Sequence, residues 1–151
     1  KLAVTAVLPE SYIPQPMQRL GFYQRMSQAN NEGEIFEIAR EIREVYGKGP
    51  PEAEHLTEVM VIRHRLKQLG ASALSAAPQP GGEIKMALAL VAEAPIDRIQ
   101  LAALLQKESD KFALSPNGRL SITVDSTIHD DSMFFLRTVR AELAQLSSLL
   151  L

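Results

Sequence analysis

The spacing of hydrophobic residues predicts helices in the first half of the chain. The first helix would run from about Pro16 to Gln28, where apolar side chains recur at helical intervals. The second is better defined, because Asn31 can cap its start, Glu34 occupies the capping-box position and Gly47 can end it. Its buried stripe is predicted at five positions: Ile35, Ile38, Ala39, Ile42 and Val45. The first helix would bury Met17, Leu20, Tyr23 and Met26.

A third helix and a short leading strand complete the first half. Pro50 or Pro51 suits the first turn of the third helix, and Gly70 suits its end. Alternating apolar residues from Leu2 to Leu8 predict a short strand or an extended lead-in, which Pro9 interrupts.

The second half has the pattern of strands mixed with helices. A strand period of two covers Ile84 to Leu90, and the stretch 71–77 is its weaker partner. The sequence KFALSPNGRLSITV predicts two strands joined by an Asn117-Gly118 turn. A helix opened by Asp97 would carry Ile99, Ala102 and Leu105. A last helix, capped by Asp130 or Asp131, would bury Phe135, Val139, Leu143 and Leu146.

These elements indicate an α+β fold, with a helix-rich N-terminal half followed by a small, mostly antiparallel sheet and two further helices. The length of 151 residues is that of one domain, 1–151. The change of pattern near residue 70 predicts a seam there, between a helical part, 1–70, and an α+β part, 71–151. The chain begins without methionine in an apolar pattern, and we expect it to be a piece of a longer protein.

Composition excludes several classes of function. A formal net charge of −2 and a pI of about 5.9 give no overall field that would attract nucleic acid or an anionic membrane. The sequence contains no cysteine, and so offers no disulfide, thiolate nucleophile or cysteine-based metal site. Its apolar runs are shorter than the roughly 20 residues that a membrane helix needs.

Motifs for catalysis or metal binding are weak. The sequence GKGPPE at 47–52 has a Gly-Lys pair, but lacks the glycine-rich cradle and the following Ser or Thr of a phosphate-binding loop. His55, His64 and His129 do not have metal-ligand spacing, and no serine lies in a G-x-S-x-G turn. A small enzyme would instead require a pocket lined by convergent polar groups. We therefore expect no catalytic, cofactor or metal site in this chain.

Basic residues suggest an alternative function, accessory binding of DNA. Arg63 and Lys67 lie one turn apart on the third predicted helix, and Arg19 and Arg25 lie on the first. Acidic neighbours are as numerous, and aromatic side chains that could stack on bases make up only 5% of the chain. A solvated helix face is the competing explanation.

The second predicted helix carries a row of glutamates. At about 100° per residue, its members fall within an arc of roughly 80°; they are Glu34, Glu37, Glu41 and Glu44. Arg40 can reach Glu37 and Glu44 along the helix, which would make the row an ordinary salt-bridged surface. Alternatively, Glu41 and Glu44 would meet arginines of a partner. Spacing alone leaves both explanations open.

Three stretches carry a recognisable family pattern: LPESYIPQPMQRLGFYQRM, EIAREIREVYGKGPPEAEHL and RLKQLG. Weaker similarity continues through GGEIKMAL, LAALLQK and NGRLSITV. Together these stretches resemble the C-terminal domain of bacterial transcription-repair coupling factors, the Mfd family. The order and spacing of the motifs match across nearly the whole chain. The sequence departs from the family at the end of the second helix, where Val45 replaces an arginine.

The resemblance implies a regulatory, non-enzymatic domain of a larger ATP-dependent DNA translocase. Such proteins remove RNA polymerase stalled at DNA damage and recruit the excision-repair protein UvrA. Their C-terminal domain folds onto the N-terminal UvrB-like module and masks its UvrA-binding surface. ATP and magnesium would bind in motor domains elsewhere in that protein. Duplex DNA and RNA polymerase would be partners of the parent protein. We expect no membrane contact and a cytoplasmic location.

The resemblance also points to particular residues. The family's acids that meet basic residues of the UvrB-like module align with Glu41 and Glu44 of this sequence. Glu37 and Arg40 would lie at the periphery of that contact. The resemblance therefore favours a partner-binding role for Glu41 and Glu44.

Overall fold

A computed structural model describes residues 5–125 and 131–151, which form five helices and four strands. The helices are α1 (Pro16–Ser27), α2 (Glu32–Tyr46), α3 (Pro51–Leu69), α4 (Arg98–Lys107) and α5 (Ser132–Ser147). The strands are β1 (Ala71–Pro78), β2 (Glu83–Leu90), β3 (Phe112–Leu114) and β4 (Arg119–Asp125). The predicted α+β class and the predicted order of helices and strands are confirmed. Of the two alternatives for the start of the chain, the strand is wrong over 5–8, where the backbone forms none, and the first residues of that stretch lie outside the described ranges.

The described chain divides into two compact units, residues 5–64 and Arg65–Leu151. The boundary falls within α3, a few residues before the change of sequence pattern near residue 70. Whether residues 1–151 behave as a single domain stays a prediction.

The unit of residues 5–64 is built around an apolar cluster supplied by the helices and by the segment before α1. Its buried members include Ile13, Phe22, Met26, Ile35, Ile38, Ala39, Ile42, Leu56 and Val61. Tyr46 at the end of α2 packs edge-on against Phe22 and Tyr12, with ring centroids 6.3 and 5.9 Å apart. Such edge-to-face contacts stabilise aromatic clusters, and these hold the end of α2 against the start of the unit.

Three residues predicted to be buried in this unit are exposed. Val45 is 66% exposed although it lies only about 20° around the helix axis from the buried Ile38, because it is in the last turn of α2, where the Tyr46 ring packs against the core instead. Met17 and Leu20 are exposed because α1 buries Phe22 instead, which lies roughly 140–160° around the helix from both.

The unit Arg65–Leu151 contains a four-stranded antiparallel sheet with strand order β1-β2-β4-β3. One sheet face is buried at alternating positions, as the period of two predicts: Leu74, Ala76, Ile84, Met86, Leu88, Leu120 and Ile122. Leu101 of α4 is buried and contributes to the core. The four residues predicted to be buried in the last helix are all buried in α5: Phe135, Val139, Leu143 and Leu146.

The ends of α4 and α5 agree only partly with prediction. Asp97 and Asp131 are the N-caps of α4 and α5, and each carboxylate accepts two backbone N–H bonds. Asp130 lies outside the described residues. Ile99, which the sequence pattern groups with Ala102 and Leu105, is 83% exposed because Leu101, about 160° further around α4, faces the core.

Candidate functional site: the acidic face of the second helix

Helix α2 presents the predicted glutamates from a firmly capped backbone. The Asn31 side chain accepts the Glu34 N–H at 2.9 Å, and the Glu34 carboxylate accepts the Asn30 N–H at 2.7 Å. The cap resembles the predicted capping box, except that Glu34 reaches the residue before the cap. At the other end, Gly47 adopts a φ of 80° and donates its N–H to the Arg43 carbonyl. These caps and the buried isoleucines fix which side chains of α2 face solvent.

Arg40 forms the ion pairs that the helical spacing predicts. Its Nη2 donates to Glu37 Oε2 at 2.7 Å, while Nη1 lies 3.8 Å from Glu44 Oε1. The hydrogen bond and charge of Glu37, with a smaller effect of Glu44, raise the pKa of Arg40 above its ordinary value. All three side chains are exposed, so these pairs contribute little to stability. Glu37 is thus paired, whereas the distance from Glu44 to Arg40 is beyond a hydrogen bond.

Glu41 pairs with a residue of the neighbouring helix. Arg25 of α1 donates from Nη1 and Nη2 to the two Glu41 carboxylate oxygens, at 2.6 and 2.9 Å. This bidentate hydrogen bond lowers the pKa of Glu41 and raises that of Arg25. The Arg25 guanidinium also lies 5.8 Å from the centre of the Phe22 ring, within range of a cation–π contact. Sequence spacing missed this pair because its members are 16 residues apart and on different helices.

We call Glu37, Glu41 and Glu44, with Arg40, the acidic face. Its carboxylates differ in what they still offer a ligand. Glu44 is 67% exposed, and among the described residues its contact is the long one with Arg40, whereas Glu41 is 47% exposed and already accepts two hydrogen bonds. A carboxylate has about four lone-pair positions, so both can accept further hydrogen bonds from a guanidinium or ammonium group. The acidic face can therefore bind a basic surface.

The segment 47–52, weighed above as a phosphate loop, has a structural role. Gly47 ends α2 and Pro51 begins α3, as a helix end followed by a proline-started helix requires. The Tyr12 hydroxyl donates to the Gly47 carbonyl. Burial and the nearby Glu54 charge raise the pKa of Tyr12, opposed by Arg43.

The other candidate ligands do not converge in the described residues. His55 Nδ1 lies 2.9 Å from the Thr5 carbonyl oxygen, and His129 lies outside the described residues. Among residues 5–125 and 131–151, no group of three or more histidine or acidic side chains is placed to hold a metal ion.

The basic residues considered for DNA binding fall into two sets. Arg19 donates to the Ile13 and Pro14 carbonyls, and Arg25 is bound to Glu41, so both have internal partners. Arg63 and Lys67 are exposed on α3.

None of the helices in the described ranges has the length and hydrophobicity to cross a bilayer.

The sequence family and the relatives that match this chain all concern transcription-repair-coupling factors. Residues 2–98 match the family described as the TRCF domain. The chain is 29% identical over 119 residues to the transcription-repair-coupling factor of Myxococcus xanthus, and 28% identical over 145 residues to that of Escherichia coli K12. These alignments cover 79% and 96% of this chain but only 10% and 12% of those proteins.

A solved structure supports the fold. The crystal structure of a C-terminal domain of transcription-repair coupling factor superposes with a TM-score of 0.65, covering 98% of this chain and 93% of that one at 16% identity. At that identity the likeness concerns the fold alone, while the family match rests on sequence and spans more than half of the chain. The chain therefore belongs to the TRCF domain family.

Proposed function

We propose that this chain is the C-terminal regulatory domain of an ATP-dependent DNA translocase that couples transcription to nucleotide-excision repair. In this proposal the acidic face docks onto the UvrB-like N-terminal module of the same protein and masks its UvrA-binding surface. The observation that carries the proposal is the pair of exposed carboxylates, Glu41 and Glu44, on one face of a helix whose ends are both capped. Glu37 and Arg40 lie at the edge of this surface.

The length of the relatives supports a role within a larger protein. This chain spans roughly a tenth of the curated relatives it matches. The proposal places the motor, with its ATP and magnesium, and the surfaces for RNA polymerase and duplex DNA in other parts of such a cytoplasmic protein. This domain would itself hold no cofactor and contact UvrA only indirectly, by masking.

The exposure of the carboxylates suits a reversible contact. Charge pairs at the rim of an interface give orientation and salt sensitivity more than affinity. A weak contact is sufficient when the two modules belong to one chain, because the linkage supplies a high effective concentration. Autoinhibition must be released when the protein engages its target, so a tight interface would be a disadvantage.

Charge reversal tests the proposal. The purified chain would be titrated with the isolated UvrB-like module at low and high salt. The double variant Glu41→Lys/Glu44→Lys should bind about tenfold or more weakly, because each substitution replaces an attraction with a repulsion. Glu10→Lys/Glu93→Lys, an equal charge change at two exposed sites outside α2, is the matched control and should bind like the parent chain.

A second measurement addresses masking. In the full-length protein the same double variant should bind UvrA more readily than the parent protein does. Unchanged docking and unchanged UvrA binding in this variant, with folding intact by circular dichroism, would exclude the acidic face as the docking surface.

Accessory DNA binding is a second candidate function, favoured by the exposed Arg63 and Lys67 on α3. It is less well supported because Arg19 and Arg25 already have internal partners. Titration with duplex DNA distinguishes the two functions. Micromolar binding that weakens steeply with salt, and that is lost in Arg63→Ala/Lys67→Ala, would favour DNA binding.

A further inference from the structure

The unit Arg65–Leu151 contains an apolar groove that no part of the proposed function uses. The groove lies between the segment that leads into α4 and the turn joining β3 to β4, and has a volume of about 390 Å³. This volume falls within the roughly 300–1,000 Å³ of typical ligand clefts. It lies outside α2 and is therefore distinct from the acidic face.

Most of the residues that line the groove are apolar, and Asn117 and Arg98 are its polar members. Ile96 and Leu101 are buried and line it, whereas Val91 and Leu114 are each 41% exposed at its edges. Nine large apolar side chains of the described residues are at least this exposed, and two of them line this one groove. Exposed apolar side chains that border a concavity indicate a surface for binding an apolar group.

The position of one wall is fixed by the backbone. Leu90 donates its N–H to the Gly118 carbonyl at 2.9 Å, which joins the end of β2 to the turn. A Cβ on Gly118 would approach the Leu90 carbonyl oxygen to 2.9 Å, so the close approach requires glycine. The groove is therefore present before any ligand arrives.

Arg98 supplies the charged group of the groove. Its Nη2 donates to the Ala92 carbonyl at 2.7 Å, which holds the guanidinium at this site and leaves other N–H donors available. The nearby Asp97 carboxylate accepts the Ile99 and Gln100 N–H groups as the cap of α4. Glu93 is an exposed carboxylate of the same segment but does not line the groove.

We propose that this groove binds a peptide segment of a partner protein in which an aliphatic side chain lies next to a carboxylate. The aliphatic side chain would enter between Val91 and Leu114, and the carboxylate would accept hydrogen bonds from Arg98. The combination of an apolar cleft with one fixed guanidinium favours this ligand over a basic peptide, which Arg98 would repel, and over a purely apolar one, which would leave Arg98 unused.

Three capped tetrapeptides test the proposal on the full 151-residue chain. Their sequences are Gly-Leu-Glu-Gly, Gly-Leu-Gln-Gly and Gly-Ala-Glu-Gly, so that the last two remove the charge and the aliphatic side chain separately. Binding is followed by nuclear magnetic resonance of backbone amides. The Leu-Glu peptide should shift the amides of Val91, Leu101, Leu114 and Gly118 with a dissociation constant of about 1–10 mM, as expected for so small a ligand.

The other peptides and two variants supply the controls. Each of the other two peptides should bind about fivefold or more weakly, because each lacks one of the two interactions. Arg98→Gln should abolish the difference between the Glu and Gln peptides, and Arg137→Gln, an exposed arginine on α5, should preserve it.

Three results would overturn the proposal. One is the absence of shifts at these amides, and another is equal binding of the Glu and Gln peptides to the parent chain. The third is a shift of the same amides with protein concentration in the absence of peptide, which would assign the groove to a second copy of this chain.

Discussion

Arg25 on α1 donates to both carboxylate oxygens of Glu41 on α2, at 2.6 and 2.9 Å, whereas the carboxylate of Glu44, one turn further along α2, lies 3.8 Å from Arg40. The two carboxylates proposed to bind the partner therefore differ in their hydrogen bonds within the chain: Glu41 accepts two from Arg25, whereas Glu44 lies too far from Arg40 to accept one. A basic group of the partner can approach Glu44 directly. At Glu41 it must either replace Arg25 or use the remaining lone pairs.

This difference predicts that Arg25 weakens docking. In Arg25→Gln the carboxylate of Glu41 loses its internal partner, and the surface that faces a basic module loses one positive charge. We expect the affinity for the UvrB-like module to rise about two- to fivefold, with the free energy of unfolding lowered by about 0.2–1 kcal/mol, as for other exposed ion pairs. Isothermal titration of the two chains against the module measures the first effect, and urea unfolding the second. Weaker docking of Arg25→Gln would mean that Arg25 positions Glu41 rather than competing for it.

The same pair predicts the acid titration of Glu41. Its pKa is lowered in the folded chain, chiefly by the hydrogen bond from Arg25. A carboxyl group whose folded pKa is lowered stabilises the fold at a pH above its unfolded pKa, and this stabilisation is lost as the pH falls through the folded pKa. In a carbon-detected titration, Glu41 should titrate below the ordinary glutamate range, and in Arg25→Gln it should titrate at higher pH. An unchanged pKa in the variant would contradict the pairing.

Two residues of α4, one buried and one exposed, test which side of the helix faces the core. Leu101 is 7% exposed and Ile99 is 83% exposed. Leu101→Ala should lower the free energy of unfolding by about 2–5 kcal/mol, because it removes buried apolar surface and leaves a cavity. Ile99→Ala, the matched control, should change it by no more than about 0.5 kcal/mol. Urea unfolding of the two variants would contradict the structure if their losses were equal or in the reverse order.

The α4 example shows how far hydrophobic periodicity could predict this fold. The positions and types of the elements followed from the sequence because caps and breakers such as Asn31, Gly47 and Asp97 act locally. Which apolar residue of a helix faces inward depends on the elements packed against it. For Ile99 the period was consistent with burial, but the core of the unit lies on the side of Leu101.

The candidate site shows the same division between local and distant effects. The pairs of Arg40 with Glu37 and Glu44 were predictable because partners three and four residues apart on a helix are neighbours. The pair of Arg25 with Glu41 depends on how α1 crosses α2, and no spacing rule contains that angle. The groove near Arg98 likewise joins residues from separate segments, so no local sequence pattern predicts it.

The turn at Gly118 offers a last test, on the backbone. Gly118 has a φ of 86°, a left-handed conformation that costs other residues about 1–2 kcal/mol, and a Cβ there would lie 2.9 Å from the Leu90 carbonyl oxygen. Gly118→Ala should therefore lower the free energy of unfolding by about 2 kcal/mol or more. Gly21→Ala is the matched control, because its Cβ would lie within α1 with no atom beyond the adjacent helix backbone closer than 4 Å, and it should stabilise the chain by about 0.5–1 kcal/mol. Thermal and urea unfolding of both variants measure these changes. If Gly118→Ala were neutral, the contact between the turn and Leu90 would not have the geometry described, and the groove wall would not be fixed in the free chain.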